Sequence, residues 1–131
     1  MKRIAFLIFI SLAFVNSYAQ DAQKIAGIWW NNEKTSKIEI KELKGEYTGT
    51  IIYIIPEKYV NGEPEKDNMN PDQKLRSRSR IGIQVLSGLK YDSTDKQWIN
   101  GKIYDPKNGK TYDCYAWFES DSNILNIKGY V

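Results

Sequence analysis

Apolar and polar residues alternate along most of the chain after residue 26. In residues 37–41, for example, isoleucines alternate with charged residues. Because successive side chains of a strand point to opposite faces of a sheet, this pattern predicts strands with one buried face. After residue 19 we find no 3.6-residue period of the kind that an amphipathic helix shows. The predicted strands cover residues 27–30, 37–41, 47–55, 81–89, 98–104, 111–119 and 124–130.

About seven short strands at regular spacing are typical of an all-β sandwich or barrel. The connections are mostly the size of hairpin turns, which favours a meander. We therefore expect a small antiparallel up-and-down, calycin-like β-barrel of about seven to eight strands. Alternation places Tyr47, Ile51 and Tyr53 on one face of the third strand. It also places Ile51, Ile83 and Ile127 in one common core.

The longest break between strands starts at Pro56, which cannot donate a hydrogen bond to a sheet. Residues 56–75 are mostly polar and contain Gly62, Pro64 and Pro71. A connection of this length inside a small domain is commonly a lid, a binding loop or a disordered segment. The pattern leaves these three alternatives open.

The N-terminus has the features of a secretory signal peptide. Lys2 and Arg3 precede an apolar run at residues 4–15, and small residues lead to Ala19. The run is shorter than the roughly 20 residues that span a bilayer. We therefore predict a signal peptide over residues 1–19, a single domain over residues 20–131, and a periplasmic or secreted location. An uncleaved anchor is the alternative, and we expect no membrane span after cleavage.

Composition narrows the chemistry further. The formal net charge is +3, and two of the positive charges lie in the predicted signal peptide, so no strong field would attract nucleic acid. There is no histidine, which removes the usual general base and the usual zinc ligand. Cys114 is the single cysteine, so it cannot form an intramolecular disulfide, and we expect it to be buried. No motif indicates a cofactor.

Four segments of the chain resemble one known family. They are Gly27-Ile28-Trp29-Trp30, Asp67-Asn68-Met69-Asn70-Pro71-Asp72, Leu75-Arg76-Ser77-Arg78 leading to Gly82, and Trp98-Ile99-Asn100-Gly101-Lys102-Ile103-Tyr104-Asp105-Pro106 running on to Gly109-Lys110-Thr111-Tyr112-Asp113-Cys114. On these segments the chain resembles a family of small exported bacterial proteins catalogued as domain of unknown function 2147. The resemblance implies export and a barrel similar to those of lipocalins and streptavidin, which open with Gly-x-Trp. It implies no activity.

Two features depart from the pattern of that family. Members often have proline where Ser79 stands, and they usually continue past the equivalent of Gly129 and Tyr130 into one more strand. The expected barrel therefore lacks its last strand, either because the sequence is truncated or because the barrel closes with fewer strands. An unpaired edge would favour association between chains. We leave the oligomeric state open.

A basic residue occupies every second position of one segment. These residues are Lys74, Arg76, Arg78 and Arg80. In an extended chain they would share one face at a spacing of about 7 Å. Because a guanidinium can bind a carboxylate or phosphate through two hydrogen bonds, Arg76 and Arg78 are candidate contacts for an anion. The alternatives are a solvated sheet edge and internal salt bridges to Asp67 or Asp72.

Oxygen-bearing side chains cluster just before the basic segment, at Asp67, Asn68, Asn70 and Asp72. The spacing of the last three resembles the start of a calcium loop. The glycine and the closing glutamate of such a loop are missing, so we expect no metal site. Asp67, Asn70 and Asp72 are therefore either turn formers or ligand contacts.

These observations favour an exported, non-enzymatic binding module for a small or anionic ligand. Tyrosines and tryptophans on the predicted strands would either line its pocket or pack its core. The candidate ligand-binding residues are Arg76, Arg78, Asp67, Asn70, Asp72, Trp29, Tyr53, Tyr104 and Tyr112. One alternative is a structural or envelope-interaction protein whose barrel is fully packed. A hydrolase using Asp67 or Asp72 is least favoured, because no recognisable nucleophile setting is present.

Overall fold

The computed structural model describes residues 18–131. The predicted signal peptide lies almost entirely outside the described residues, and its cleavage stays a prediction. Residues 18–22 are helical and lead into a 3-10 helix at Gln23–Ile25. Across residues 18–131, no helix is both long enough and apolar enough to cross a membrane.

Seven strands form one antiparallel sheet in which each strand pairs with its neighbours in the chain. They are β1 (Gly27–Trp30), β2 (Ser36–Leu43), β3 (Glu46–Ile54), β4 (Gln84–Asp92), β5 (Gln97–Asp105), β6 (Lys110–Trp117) and β7 (Asn126–Tyr130). The sheet curls into a half-barrel, which confirms the predicted all-β, up-and-down architecture. Its two edges are β1 and β7, and between them the described part of the chain leaves an open seam.

The long connection between β3 and β4 is folded. It contains two 3-10 helices, Pro56–Lys58 and Gln73–Leu75. Its two arms run antiparallel near their ends, where Lys66 pairs with Ser79. Backbone hydrogen bonds from Gly82 to Ile51 (2.7 Å) and from Ile51 to Ile83 (3.0 Å) then join its end to β3. The connection is therefore held against the sheet at a defined position.

A β-bulge changes the predicted facing of β3. Tyr53 pairs with Lys37, but Ile51 pairs with Ile38, so Ile52 is an extra residue on β3. The extra residue reverses the alternation, because two residues of the bulged strand oppose one residue of its partner. Ile54 is consequently buried and Tyr53 is 38% exposed. The prediction that Tyr47, Ile51 and Tyr53 share a face was therefore wrong for Tyr53.

The N-terminal segment fills one end of the half-barrel. Ala22 and Ile25 are buried, and Trp98 Nε1 donates a hydrogen bond of 3.0 Å to the Ala22 carbonyl oxygen. Trp29 Nε1 likewise donates to the Ile25 carbonyl oxygen at 2.9 Å. We call this cluster the packed end. Its buried members are Ala22, Ile25, Ile40, Tyr47, Leu86, Leu89, Trp98, Cys114 and Ala116.

The packed end includes Cys114, as predicted. Its side chain is fully buried. Burial raises the pKa of the Cys114 thiol to about 11, so the thiol stays protonated at neutral pH. Cys114 therefore acts as a small apolar core residue.

A second buried cluster lies toward the other end of the sheet and contains Ile51, Ile54, Ile83 and Val85. Ile51 and Ile83 share this cluster as predicted. Ile127 does not join them and is 36% exposed. Its strand, β7, is an edge of the sheet that residues 18–131 form. The prediction of one common core for the three isoleucines was therefore wrong for Ile127.

Candidate functional site

A cavity of about 800 Å³ lies at the end of the half-barrel away from the packed end. Strands β2 to β7 contribute through the portions farthest from the N-terminal segment, such as Ile38 near the start of β2 and Ile54 at the end of β3. Binding pockets for small molecules commonly occupy about 300–1,000 Å³. The cavity therefore has the size of a small-molecule site. Nothing in residues 18–131 supports the alternative of a barrel that is packed throughout.

The cavity has an apolar wall and a charged opening. The wall is formed by Ile38, Ile51, Ile54, Val85 and Ile103, with Tyr104 and Tyr112 beside them. We call the charged opening the mouth, and its residues are Glu33, Lys58, Glu65, Arg80, Asp105 and Lys107. Mostly apolar lining with a few placed polar groups is the usual construction of a ligand pocket.

The carboxylate of Asp67 joins the long connection to β5. Asp67 is fully buried. Its Oδ1 accepts a hydrogen bond of 2.6 Å from the Tyr104 hydroxyl. Its Oδ2 accepts from Asn70 Nδ2 at 2.8 Å and from Arg78 Nε at 3.0 Å, and Arg78 Nη2 lies 3.0 Å away. We call these four residues the Asp67 latch.

The protonation states of the Asp67 latch follow from these contacts. Burial by itself would raise the pKa of Asp67. The hydrogen bonds from Tyr104, Asn70 and Arg78 outweigh burial and lower the pKa, so the carboxylate is charged at neutral pH. Burial, together with the bond to Asp67, raises the pKa of Tyr104 to about 12. The hydroxyl therefore remains a donor at neutral pH.

Arg80 brings the end of the connection to the mouth of the cavity. Its Nη1 lies 3.1 Å from Glu65 Oε2, and its Nε donates to the Lys66 carbonyl oxygen at 3.1 Å. Arg80 Nη2 also donates a longer hydrogen bond of 3.5 Å to the Pro106 carbonyl oxygen in the β5–β6 turn. Only 14% of the Arg80 side chain is exposed. Its guanidinium is thus fixed in place at the mouth.

The connection also contacts the β5–β6 turn closely at Gly109. This residue has a φ of +75°, and a Cβ placed on it would lie 1.9 Å from the Met69 carbonyl oxygen. Glycine adopts this backbone conformation without the steric cost that a Cβ brings. The turn sequence between Asp105 and Lys110 therefore helps to dock the segment that holds the Asp67 latch.

The basic segment is not extended, so the prediction that its cations line one face was wrong. Asp72 caps the 3-10 helix Gln73–Leu75 by accepting from the Lys74 backbone nitrogen at 3.0 Å, and this winds the first half of the segment into a turn. Arg76 Nε donates to the Asn70 carbonyl oxygen at 2.7 Å. The alternative of an internal salt bridge from the arginines to Asp67 describes Arg78 correctly.

The structure brings together some of the predicted site residues and separates others. Those of the Asp67 latch (Asp67, Asn70, Arg78 and Tyr104) are in contact, and Tyr104 and Tyr112 line the cavity. Arg76 and Asp72 brace the connection outside the cavity lining. Trp29 packs against Phe118, and Tyr53 packs against Trp30 on the outer face. Four predicted site residues, Arg76, Asp72, Trp29 and Tyr53, therefore do not line the cavity.

The candidate residues chosen from the sequence did not include Glu65, Lys58 or Lys107, and Arg80 was named only as one cation of the basic segment; all four lie at the mouth. Arg80 continues the two-residue spacing from Arg78, and this spacing was a usable signal. Glu65 lies opposite Arg80 in a ladder where the Arg80 nitrogen donates to the Glu65 carbonyl oxygen at 3.0 Å. No sequence pattern indicated that pairing, or the positions of Lys58 and Lys107.

The two acids of the hydrolase hypothesis both have structural partners. Asp67 accepts from three side chains, and Asp72 caps a helix. In residues 18–131, no three acidic or cysteine side chains converge as metal ligands. The chemistry that the geometry provides is therefore enclosure, hydrogen bonding and charge at the mouth of an apolar cavity.

A meander half-barrel with an open apolar cavity at one end defines a lipocalin-like protein. The chain belongs to the bacterial family described as an uncharacterized protein conserved in bacteria, domain of unknown function 2147. The model of that family matches residues 27–131, which confirms the resemblance seen in the sequence.

A solved structure extends the comparison. The chain is similar to the protein HP1028 from the human pathogen Helicobacter pylori, which is described as belonging to the lipocalin family. The two are 30% identical with a TM-score of 0.55, and the match covers 65% of this chain and 55% of that one. No curated protein matches this chain. The comparisons therefore support the fold and the family.

Proposed function

We propose that this protein is an exported binding module that holds a small amphipathic ligand in the cavity of its half-barrel. The observation that carries the proposal is the cavity of about 800 Å³, which is walled by isoleucines and valine and bordered by charges. The lipocalin-like fold supports it, because barrels of this size often enclose one small ligand. The apolar wall would contact the body of the ligand, and the mouth would contact its polar end.

The mouth carries three cations, Lys58, Arg80 and Lys107, and three carboxylates, Glu33, Glu65 and Asp105, so an anionic end of the ligand would bind through the particular cations that lack a partner. Glu65 is paired with Arg80. Among the described residues, Lys58 and Lys107 form no ion pair with a carboxylate, and Glu33 and Asp105 form none with a cation. An anionic group near these two lysines would gain charge-assisted hydrogen bonds. We therefore assign recognition of the anion to Lys58, Lys107 and the fixed guanidinium of Arg80, with Tyr104 and Tyr112 beside the ligand.

Filling the cavity tests this proposal. The probe is 1-anilinonaphthalene-8-sulfonate, which combines aromatic rings with an anionic sulfonate and becomes fluorescent in apolar sites. Ile51→Trp adds volume to the cavity wall, and we expect it to weaken binding of the probe by at least tenfold. The matched control is Ile52→Trp, because Ile52 is the adjacent residue and is 37% exposed. We expect this control to bind as the wild type does.

Equal binding by wild type and Ile51→Trp would contradict the proposal. Thermal unfolding of each variant shows whether the fold is intact, because the dye also binds partly folded states. Mass spectrometry of small molecules extracted from the purified protein is the complementary measurement. A retained amphipathic acid that is absent from Ile51→Trp would identify the natural ligand class.

Export remains part of the proposal and is supported by the charged start, apolar run and small residues of positions 1–19. N-terminal sequencing of the protein from its native host tests it. We expect the mature chain to begin at Gln20, which leaves Ala22 and Ile25 available for the packed end. A protein that retains Met1 in the cytoplasm would contradict export.

A further inference from the structure

On the outer face of β5, β6 and β7, the last two strands carry a row of aromatic side chains that the cavity does not use. In β6, Cys114 and Ala116 point into the core, so Tyr115 and Trp117 point outward. Their rings are stacked, with centroids 5.2 Å apart and planes 25° apart. Tyr130 of β7 continues the row, with its ring 6.1 Å from that of Tyr115. We call Tyr115, Trp117 and Tyr130 the outer aromatic row.

Polar and charged groups alternate with this row across the three strands. The register places Lys102 beside Asp113, and Asp113 beside Tyr130. Lys102 and Asp113 form an ion pair. Lys128 pairs with Tyr115 in the ladder. The rings therefore lie among groups that donate and accept hydrogen bonds.

A shallow depression of about 420 Å³ adjoins the row at Tyr130. Lys102, Lys110, Thr111 and Asp113 contribute to its lining. Lys110 and Lys128 have no carboxylate partner within residues 18–131. The surface thus combines the exposed ring of Tyr130, the half-buried rings of Tyr115 and Trp117, a concavity and excess positive charge.

We propose that the outer aromatic row and this depression bind an acidic polysaccharide. A pyranose ring has one face of C–H groups, which are attracted to the negative face of an aromatic ring. Its hydroxyl groups can bond to Asp113 and Lys102, and its carboxylates complement Lys110 and Lys128. The exposed ring of Tyr130 would stack on one sugar of the chain, and the stacked pair of Tyr115 and Trp117 would contact a neighbouring sugar.

The composition of the surface favours a glycan over a protein partner. Charged residues are depleted in the buried centre of protein interfaces, yet Lys102, Asp113 and Lys128 lie among the rings. Lys128 on the edge strand β7 also discourages the addition of a strand from another chain. A single nucleic-acid strand would need a basic groove along its backbone, whereas Asp113 lies in the middle of this face.

A second exposed aromatic pair provides a control. Trp30 and Tyr53 lie on β1 and β3, where Lys37 Nζ is 4.7 Å from the Trp30 ring centroid and 5.2 Å from that of Tyr53. Trp30 is 47% exposed and Tyr130 is 45% exposed. Trp30 thus matches Tyr130 in exposure but has a ring that is already covered by a lysine of the same molecule.

The test is electrophoresis of the folded protein in native gels that contain polygalacturonate. We expect wild type to be retarded, and Tyr115→Ala and Tyr130→Ala to raise the apparent dissociation constant at least tenfold. Tyr130→Phe, which keeps the ring, should bind within threefold of wild type. Trp30→Ala and the cavity variant Ile51→Trp should bind as wild type, which separates this surface from the cavity. Neutral dextran should retard wild type less than polygalacturonate does.

Several results would overturn the assignment. One is no retardation of wild type, and another is equal retardation of wild type, Tyr115→Ala and Tyr130→Ala. Equal weakening by Trp30→Ala would show that exposed aromatic residues act without regard to position. A further such result is that oligothymidylate retards wild type more strongly than polygalacturonate does. If that retardation were lost in Tyr115→Ala and Tyr130→Ala, the surface would be assigned to single-stranded nucleic acid.

Discussion

The two ends of the half-barrel are stabilised in different ways. At the packed end, the N-terminal segment inserts Ala22 and Ile25 among apolar side chains, and the indole of Trp98 bonds to the backbone of that segment. At the open end, the wall of the cavity is apolar, but the segment that borders it is held by the buried carboxylate of Asp67 and by Arg80. The packed end is thus stabilised by burial of apolar surface, whereas the segment beside the cavity is held by hydrogen bonds and ion pairs.

This difference shows how one small sheet can combine a stable core with a cavity. Apolar burial is non-directional, so it stabilises whatever arrangement excludes water. Hydrogen bonds to a buried carboxylate depend on geometry, so they fix the connection at one distance from β5 without requiring the space beneath it to be filled. We therefore expect substitutions at the packed end to affect stability chiefly, and substitutions at the open end to affect binding as well.

Trp98→Ala should give the largest loss of stability. Trp98 is 2% exposed, contacts Tyr91 and Phe118, and bonds to the Ala22 carbonyl oxygen. Truncating a buried tryptophan costs about 3–5 kcal/mol. Urea unfolding measures the loss, and Trp30→Ala on the outer face is the control with an expected change below about 1 kcal/mol. Similar losses for both variants would show that the packed end is not the dominant core.

Tyr104→Phe should have a smaller effect on stability and a larger one on binding. It removes the hydroxyl that bonds to Asp67 Oδ1 and leaves the ring in the cavity wall. Leaving a buried acceptor without its partner costs about 1–3 kcal/mol. We also expect weaker binding of 1-anilinonaphthalene-8-sulfonate, because Glu65 and Arg80 lose their fixed position at the mouth.

The control for Tyr104→Phe is Tyr112→Phe. The Tyr112 hydroxyl accepts from Asn108 Nδ2 at 3.1 Å in an exposed turn, and its ring also lines the cavity. We expect a smaller loss of stability in this control. Hydrogen exchange of residues 56–80 should accelerate in Tyr104→Phe alone, and unchanged exchange there would contradict the role of the Asp67 latch.

The contribution of Asp67 should depend on pH with a defined sign. Its pKa in the folded protein is lowered from 3.8, so the folded state binds fewer protons than the unfolded state as the pH falls. The stabilisation is therefore fully present above the unfolded pKa and is lost as the pH falls through the folded pKa. Unfolding of wild type and Asp67→Asn from pH 7 to pH 2 measures this. We expect wild type to have the larger free energy of unfolding at pH 7, and we expect the difference between the two proteins to narrow below pH 4. A difference that stays constant with pH would contradict the stabilising role of the Asp67 carboxylate.

The general fold could be predicted from sequence because each strand carries its own alternation and each turn its own residues. The bulge in β3 could not, because Ile52 and Ile54 are equally apolar and alternation does not reveal an extra residue. The Asp67 latch could not be predicted either, since Tyr104 lies on a strand far along the chain from Asp67. Residues 67, 70 and 78 were selected as a group, but their role as internal partners depended on that tertiary contact.

The difference between the two ends of the molecule was also not visible in the sequence pattern. Inward-facing apolar residues occupy both the packed end and the cavity wall, so alternation alone assigns them to one continuous core. What separates them is the short segment before β1, whose Ala22 and Ile25 fill one end. That segment is too short to show a helical period.

Arg76 and Arg80 provide the finest test of which residues belong to the site. Arg76 is exposed and uses Nε to bond to the Asn70 carbonyl oxygen, whereas Arg80 is mostly buried at the mouth of the cavity. We expect Arg76→Ala to cost about 1 kcal/mol, as for a single part-buried hydrogen bond, and to leave binding of 1-anilinonaphthalene-8-sulfonate unchanged. Arg80→Ala should weaken that binding several-fold, because it removes a cation fixed at the mouth. If calorimetry instead finds the loss in Arg76→Ala and not in Arg80→Ala, the anion contact lies on the outside of the connection and not at the cavity.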